Sequence, residues 1–320
     1  MNSFGRFFRV SVFGESHGEV IGAVLDGVPP GLRLEEHDFS EDLARRKSGA
    51  PGTTPRIETD QPMLLSGVFE GRTTGAPLTI AFRNSDTRSG DYSLFTAIPR
   101  PGHADRTAAL KWNGFNDPRG SGHLSGRLTL SVVAAGVVAK KMLEGVTFDA
   151  RLVEVGGCGN LHKWPSMLQA AAEQGESLGG VVECVVYDLP AGLGEPFFDS
   201  VESLISHAAF SIPGVRGIEF GDGFAAAAMK GSEHNDPFGP EGPVKNGAGG
   251  ANGGITNGAP LRFRVAFKPT SSISRPQKTW NFEREAQDTL IIKGRHDCCF
   301  ALRTPVIVEA VAAIVLADLV

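Results

Sequence analysis

The chain has 320 residues, 41% of them hydrophobic and 21% charged, with a formal net charge of −5. Those values suit a globular protein with a sizeable core and remove any bulk attraction to nucleic acid or an acidic membrane surface. The four cysteines show no C-x-x-C spacing, which excludes a zinc site or disulfide framework and reads as reduced thiols in a cytoplasmic protein.

Arg6 and Arg9 interrupt the apolar N-terminus, against a signal peptide. "FRVSVFG" reads as the first strand, about 7–13. It runs into Gly14-Glu15-Ser16-His17-Gly18, which has the letters of a G-x-S-x-G nucleophile elbow. "EVIGAVLDGV" is a second strand, and "SEDLARRK" (40–47) a helix with Ser40 as N-cap and acidic residues in its first turn. "APLTIAFRN" is a strand, and a Gly-rich stretch at 118–126 precedes an apolar helix at 131–143. "GVVECVVYDL" is a strand, and "SVESLISHAAF" (200–210) a helix capped by Ser200. The second Gly-rich stretch, 239–258, reads as a loop that wraps a ligand rather than a disordered linker. "APLRFRVAFKP" is a further strand, and an apolar helix over 306–319 closes the chain. The apolar runs 131–139 and 305–317 fall short of the ~20 residues of a membrane span and predict helices buried on all sides.

The chain echoes itself. "GESHGEVIGAVLDGVPPGL" (14–32) and "GESLGGVVECVVYDLPAGL" (175–193) align without a gap and share nine of nineteen positions. "TTGAPLTI" (73–80) pairs with "TNGAPLRF" (256–263), and the helices at 40–47 and 200–210, like the two apolar ones, stand at equivalent places. These echoes predict one domain of two similar halves, about 1–150 and 165–320, packed about a pseudo-twofold axis. The expected fold class is α+β, with helices packed against sheets. Both copies of the first motif keep Gly, Glu, Ser and Gly, whereas His17 faces Leu178. Ser16 and Ser177 are therefore expected to make local structural hydrogen bonds, and His17 becomes the functional candidate. An elbow also needs several preceding parallel strands, and only one precedes Ser16.

Three His motifs stand out: Gly14–Gly18, Pro101-Gly102-His103-Ala104-Asp105 and Gly294-Arg295-His296-Asp297. Histidine gives or takes protons near neutral pH, and neighbouring glycines leave room for a ligand. Among the arginines, Arg100 and Arg295 lie beside candidate histidines, and a guanidinium grips carboxylate or phosphate through paired hydrogen bonds. Arg45, Arg46, Arg56, Arg119, Arg127 and Arg303 are further candidates, with Arg45 equally readable as surface charge. Together they suggest a small, multiply anionic substrate. Lys268, Thr270, Ser271 and Ser272 follow a strand and could cradle a phosphate or heterocycle. No H-x-x-x-H or E-x-x-H spacing suggests a metal.

FGESHG, DGVPPG, DLARR, SGVFEG, RPGHAD, AGLGEP, GDGF, AGGANGGI, KPTSS and GRHD, in that order and spanning about residues 4–319, resemble the chorismate synthase family. The resemblance implies helices sandwiched between two antiparallel sheets, assembled as a homotetramer. It implies a 1,4-anti elimination of phosphate from 5-enolpyruvylshikimate 3-phosphate, needing reduced FMN without net redox change. By the same resemblance His17 protonates the departing phosphate. His103 stabilises the flavin at its pyrimidine end, and Asp297 tunes a flavin nitrogen. Arg46, Arg100, Arg127 and Arg295 would hold the substrate. His123, Leu124, Ser125, Pro213, Gly214, Gly253, Lys268, Pro269, Thr270, Ser271, Ser272 and Arg295 would hold FMN. The chain departs from the family's R-S-S-A-R-E-T with His123-Leu124-Ser125-Gly126-Arg127-Leu128-Thr129, and "KSGAPGTT" after Arg46 is one residue short and lacks a second Arg.

Two other readings stay open. One is a catalytically weakened homologue that binds FMN or substrate, suggested by the altered 123–128 segment. The other is a flavin oxidoreductase consuming NADPH, although no G-x-G-x-x-G follows a strand. NADPH would serve the lyase only with a built-in flavin reductase.

Overall fold

A computed structural model describes residues 1–54, 58–85, 89–240, 242–292, 294 and 296–320. In chain order come β1 (Ser3–Phe4), β2 (Arg9–Gly14), β3 (Val20–Asp26), α1 (Ser40–Arg46), β4 (Met63–Ser66), β5 (Val68–Phe69), β6 (Arg72–Thr73) and β7 (Leu78–Arg83). Helices α2 (Asp105–Lys111) and α3 (Thr129–Met142) lead to β8 (Thr147–Val155), α4 (Trp164–Glu173) and β9 (Gly180–Tyr187). There follow α5 (Val201–Ala209), β10 (Val215–Phe220), α6 (Gly231–His234), β11 (Phe238–Gly239), β12 (Gly242–Pro243), β13 (Ala251–Asn252) and β14 (Ile255–Thr256). Last come β15 (Leu261–Phe267), β16 (Gln277–Asn281), β17 (Ala286–Leu290) and α7 (Pro305–Leu319).

Two antiparallel sheets carry the fold. The first runs β1-β2-β3-β7-β4 and the second β10-β15-β9-β8. Written from the other edge, the second sheet matches β2-β3-β7-β4 strand for strand, with short hairpins β5–β6 and β13–β14 before the corresponding strands. The strands alternate apolar and polar as half-buried strands do: β15 shows Leu261, Phe263, Val265 and Phe267 to the core while Arg264 stays outside. Between the sheets, α3 packs on β2, β3 and β7, while α7 packs on β8 and β9. The two helices press together at Gly136, where a Cβ would come within 2.3 Å of the Ala310 Cβ, so only glycine permits this approach. Both apolar helices are interior, as their composition demanded, and no helix among the described residues is long and apolar enough to cross a membrane.

Charges inside the helix layer are paired. Glu309, 1% exposed, accepts from Arg45, from Lys140 at 2.7 Å and from the Ala150 amide at 2.9 Å, which settles Arg45 as structural. Asp318 at the end of α7 accepts the backbone N–H groups of Arg6, Phe7 and Phe8, pinning the entry to β2.

One local expectation is corrected. Ser40 is not the N-cap of α1. A 3₁₀ turn over Glu36–Phe39 runs straight into the helix, so the capping falls on Glu35, whose amide donates to Asp38 at 2.8 Å. Ser200 does cap α5, accepting from the Ser203 amide at 3.1 Å. The 239–258 stretch folds into small hairpins that pack on their own surroundings. Its glycines allow backbone contact: a Cβ on Gly249 or Gly250 would lie 2.4 or 2.6 Å from neighbouring main-chain atoms. Asp236 accepts the Gly247 and Ala248 amides, both at 2.8 Å.

Candidate active site

A cavity of about 1040 Å³ opens where the β2–β3 turn, the 120–129 segment, the 268–272 segment and the start of α7 converge. Among the described residues its lining holds seven basic side chains (Arg46, Lys47, Arg100, Arg127, Arg216, Lys268 and Arg303) against three acidic ones (Glu58, Asp60 and Asp297). In a chain of net charge −5, that concentrates positive potential in one cleft. One wall is apolar, built from Leu128, Val132, Ile212, Phe300, Ile307 and Val311.

Arg46, Arg100, Arg127 and Arg303 are each braced by a carboxylate. Asp60 bridges Arg46, at 2.9 Å, and Arg127. All three are nearly sealed from solvent, at 3% for Arg46, 5% for Asp60 and 6% for Arg127. Asp60 has φ 54°, a backbone setting that non-glycine residues seldom adopt and that is commonest for Asp and Asn. Burial alone would raise its carboxyl, but the Arg46 and Arg127 charges outweigh this and hold it below the usual carboxylate range. Burial pushes the Arg46 guanidinium down to about 10; Asp60 opposes this while Arg303 and Arg127 add to it, and at neutral pH the group stays charged. Arg46 Nε, Arg127 Nη2 and Arg303 Nε are buried N–H groups with no hydrogen-bond partner. Such donors are costly unless a ligand takes them, which marks this end as an anion site.

Arg100 grips Asp105 with Nε and Nη2, at 2.8 and 2.7 Å, lies 4.4 Å over the Phe95 ring and donates to Ser272 Oγ at 3.0 Å. His103 Nδ1 lies 2.7 Å from Asp105 and its Nε2 lies 3.2 Å from Ser121 Oγ. Ser121 Oγ also accepts from Arg100 Nη2 at 3.0 Å, so one hydroxyl joins the guanidinium and the imidazole. Burial pulls His103 below its ordinary value; the Asp105 hydrogen bond opposes this and the Arg100 charge adds to it. Asp297 accepts from the Thr54 amide at 2.9 Å and from Arg303 at 2.8 Å. Lys268 ties its own segment to the Gly102 carbonyl at 2.9 Å, and burial lowers its ammonium.

Of the residues picked from sequence, His103, Asp297, Arg46, Arg100, Arg127, His123, Leu124, Ser125, Pro213, Gly214, Lys268, Pro269, Thr270, Ser271 and Ser272 line this one cavity. Arg295 lies outside the described residues, as do Arg56 and Lys293. Gly253 does not belong to it: the residue sits exposed at the tip of the β13–β14 hairpin. His17, 9% exposed, sits at the cavity's margin among the lining residues Ser16, Tyr92 and Gly120. Its ring stands edge-on to Tyr92, with centroids 5.2 Å apart, and lies directly beneath Gly120. Gly120 and Tyr92 line the cavity, so the imidazole borders it. Ser16 lines the cavity but is fully buried on a β2–turn–β3 hairpin, and the absence of a following helix removes the elbow reading. Ser177 makes a long-range rather than a local bond, to the Thr270 carbonyl at 2.7 Å. Sequence reasoning missed Asp60, Thr54 and Tyr92, which no motif flags, while Arg303, one of its candidate anion-binding arginines, does line the cavity.

An α+β sandwich of two antiparallel sheets closing over a buried, arginine-lined cleft defines an enzyme for a small, multiply charged metabolite. The chorismate synthase family profile matches residues 8–320. A chorismate synthase of Chitinophaga pinensis is 58% identical over 99% of this chain and 96% of its own length. One from Korarchaeum cryptofilum is 45% identical over 98% and 96%. A chorismate synthase crystal structure superposes with TM-score 0.76 at 28% identity, covering 99% of this chain and 92% of its own. The chain belongs to the chorismate synthase family, whose members are lyases of aromatic amino-acid biosynthesis.

Proposed function

We propose that this cleft takes 5-enolpyruvylshikimate 3-phosphate and releases phosphate by 1,4-anti elimination, leaving chorismate. The observation that carries this reading is the excess of basic over acidic side chains in the cavity, with buried guanidinium N–H groups still unpartnered. Two carboxylates and a phosphate are the ligand chemistry those donors suit. The substrate loses a ring proton and the C–O bond to phosphate breaks, so one new double bond forms and charge leaves with the phosphate. Arg46 and Arg127 hold the anionic groups with Asp60 fixing their spacing, and Arg100, braced by Asp105, extends the basic wall. His17 is the proton donor to the leaving phosphate, worth about 10²–10⁴-fold as a general acid. Its neighbours Gly120, Tyr92 and Ser16 line the cavity in which the phosphate would lie.

The residues present fit reduced FMN. The apolar wall suits a planar ring, and buried Thr270 Oγ1 has no hydrogen-bond partner within the Lys268–Ser272 segment. When bound, the flavin supplies electron density to the reaction without net oxidation. Pro213–Gly214, His123–Ser125 and Lys268–Ser272 would hold it, with Asp297 and His103 at the same cavity as its tuning groups. The protein is read as a cytoplasmic homotetramer, each subunit one domain of two similar halves. The test supplies substrate and chemically reduced FMN anaerobically and measures phosphate and chorismate together. Stoichiometric release of both supports the lyase. FMN binding without turnover supports the weakened homologue, and turnover with NADPH and oxidised FMN reveals a built-in reductase. His17→Ala should lose about 10²-fold or more in rate while Ser16→Ala loses far less; equal losses from folded variants would remove His17 from the mechanism.

A further inference from the structure

Asn84 follows β7 and was read from sequence only as the end of a strand. Its side chain makes three hydrogen bonds to two separate parts of the site. Oδ1 accepts from Arg127 Nε at 3.1 Å. Nδ2 donates to the Glu15 carbonyl at 3.1 Å and to the Gly18 carbonyl at 2.8 Å. Its backbone amide donates to the Glu19 carbonyl at 3.1 Å. The amide orientation is forced, because a guanidinium can only donate and a backbone carbonyl can only accept. Aspartate could serve Arg127 but would turn an oxygen toward two carbonyl oxygens.

Glu15 and Gly18 are the ends of the turn that carries His17, closed by its own Gly18 amide to Glu15 carbonyl bond at 3.0 Å. Asn84 thus clasps that turn at both ends and ties it to a guanidinium that Asp60 has already locked to Arg46. We propose that Asn84 is a positioning residue that sets the His17 turn in one rigid frame with the anion-binding arginines. An anion drawn to Arg127 is thereby registered against the imidazole. This rests on the reading of His17 as proton donor. A displacement of about 1 Å in a reacting group costs about 10²-fold, so the clasp has kinetic weight although it touches no reacting atom.

The experiment uses the full chain with reduced FMN. Asn84→Ala removes all three bonds. Asn84→Asp keeps the size and the acceptor for Arg127 but loses both donors to the turn. Both variants should lower kcat by about 10²-fold, with KM changed less than about threefold, because Arg127 keeps Asp60. In a His17→Ala background the same changes should cost almost nothing further, since residues acting through one another are not additive. A rise in KM at unchanged kcat, a loss of thermal stability alone, or full additivity with His17→Ala would overturn the proposal. A second readout is independent of turnover: inorganic phosphate should shift the His17 imidazole resonances in the native protein and fail to do so in Asn84→Asp. If native protein shows no such shift, or the variant responds as native does, the clasp does not register His17. If the shift appears as expected but no chorismate forms, the lyase reading fails and the clasp stands.

Discussion

Replacing Asp60 by Asn tests whether the arginine pair depends on its built-in counter-charge. Asn keeps the shape of the side chain and tolerates φ 54°, so the change is close to removal of one charge. Arg46 and Arg127 would then stay buried with no carboxylate between them and with Arg303 close enough to add repulsion. Breaking one side of a buried ion pair costs about 3–5 kcal/mol, and at about 2 °C per kcal/mol for a large domain the midpoint should fall by roughly 6–10 °C. Inorganic phosphate should stabilise the variant more than the native protein, because a ligand bound only to the folded state raises its midpoint by mass action. The pH dependence has a definite sign. A carboxyl held below its ordinary value stabilises the fold above the usual carboxylate range and loses that contribution as pH falls through its lowered folded-state value. Melting curves of the two proteins should therefore converge in strong acid. Scanning calorimetry with and without phosphate, from neutral pH into acid, measures all three effects. A variant that melts with the native protein at pH 7 and gains nothing extra from phosphate would refute the bracing role.

Gly120→Ala should lower turnover by about 10²-fold with a smaller effect on substrate binding, since its Cβ would lie 2.5 Å from His17 Cδ2 and 2.8 Å from Ser16 Oγ at φ 58°; native rates would show that the imidazole is not confined there. His103, held below its ordinary value by burial, should make stability fall on acidification below about pH 6.5, because the unfolded chain takes up a proton that the folded one refuses; urea titrations of native protein and His103→Gln over that range should show the native slope and its loss. Glu309→Ala leaves Arg45, Lys140 and the Ala150 amide without their shared acceptor, so denaturant unfolding should show a loss of about 3–5 kcal/mol while rate per folded molecule is kept.

The strands and helices were legible because each writes its pattern locally. β15 alternates, and α3 and α7 are apolar all round, which suits only the interior. The cavity residues were legible where short motifs carried them, as for His103 beside Asp105. What stayed hidden depends on distant pairings. Asp60 meets Arg127 across 67 positions and Asn84 meets Glu15 across 69, and no spacing within either neighbourhood announces this. The hairpins within 239–258 were hidden for a related reason. Glycine allows a backbone to approach either a ligand or another backbone, and here the partner is the chain itself. His17 stands out in the sequence as the odd residue between two matched motifs, yet no spacing announces that Gly120 lies against its ring.

The anchoring of residues 6–8 by Asp318 bears on biosynthesis. The cavity draws its apolar floor from Ile307, Val311 and Ile314 of α7, and the same helix fastens the approach to the first sheet. A nascent polypeptide still emerging from the ribosome therefore has no binding chamber, however well its early strands have paired. Ligand capture is deferred until α7 docks, so a stalled translation product lacking that helix should bind no ligand in this cavity.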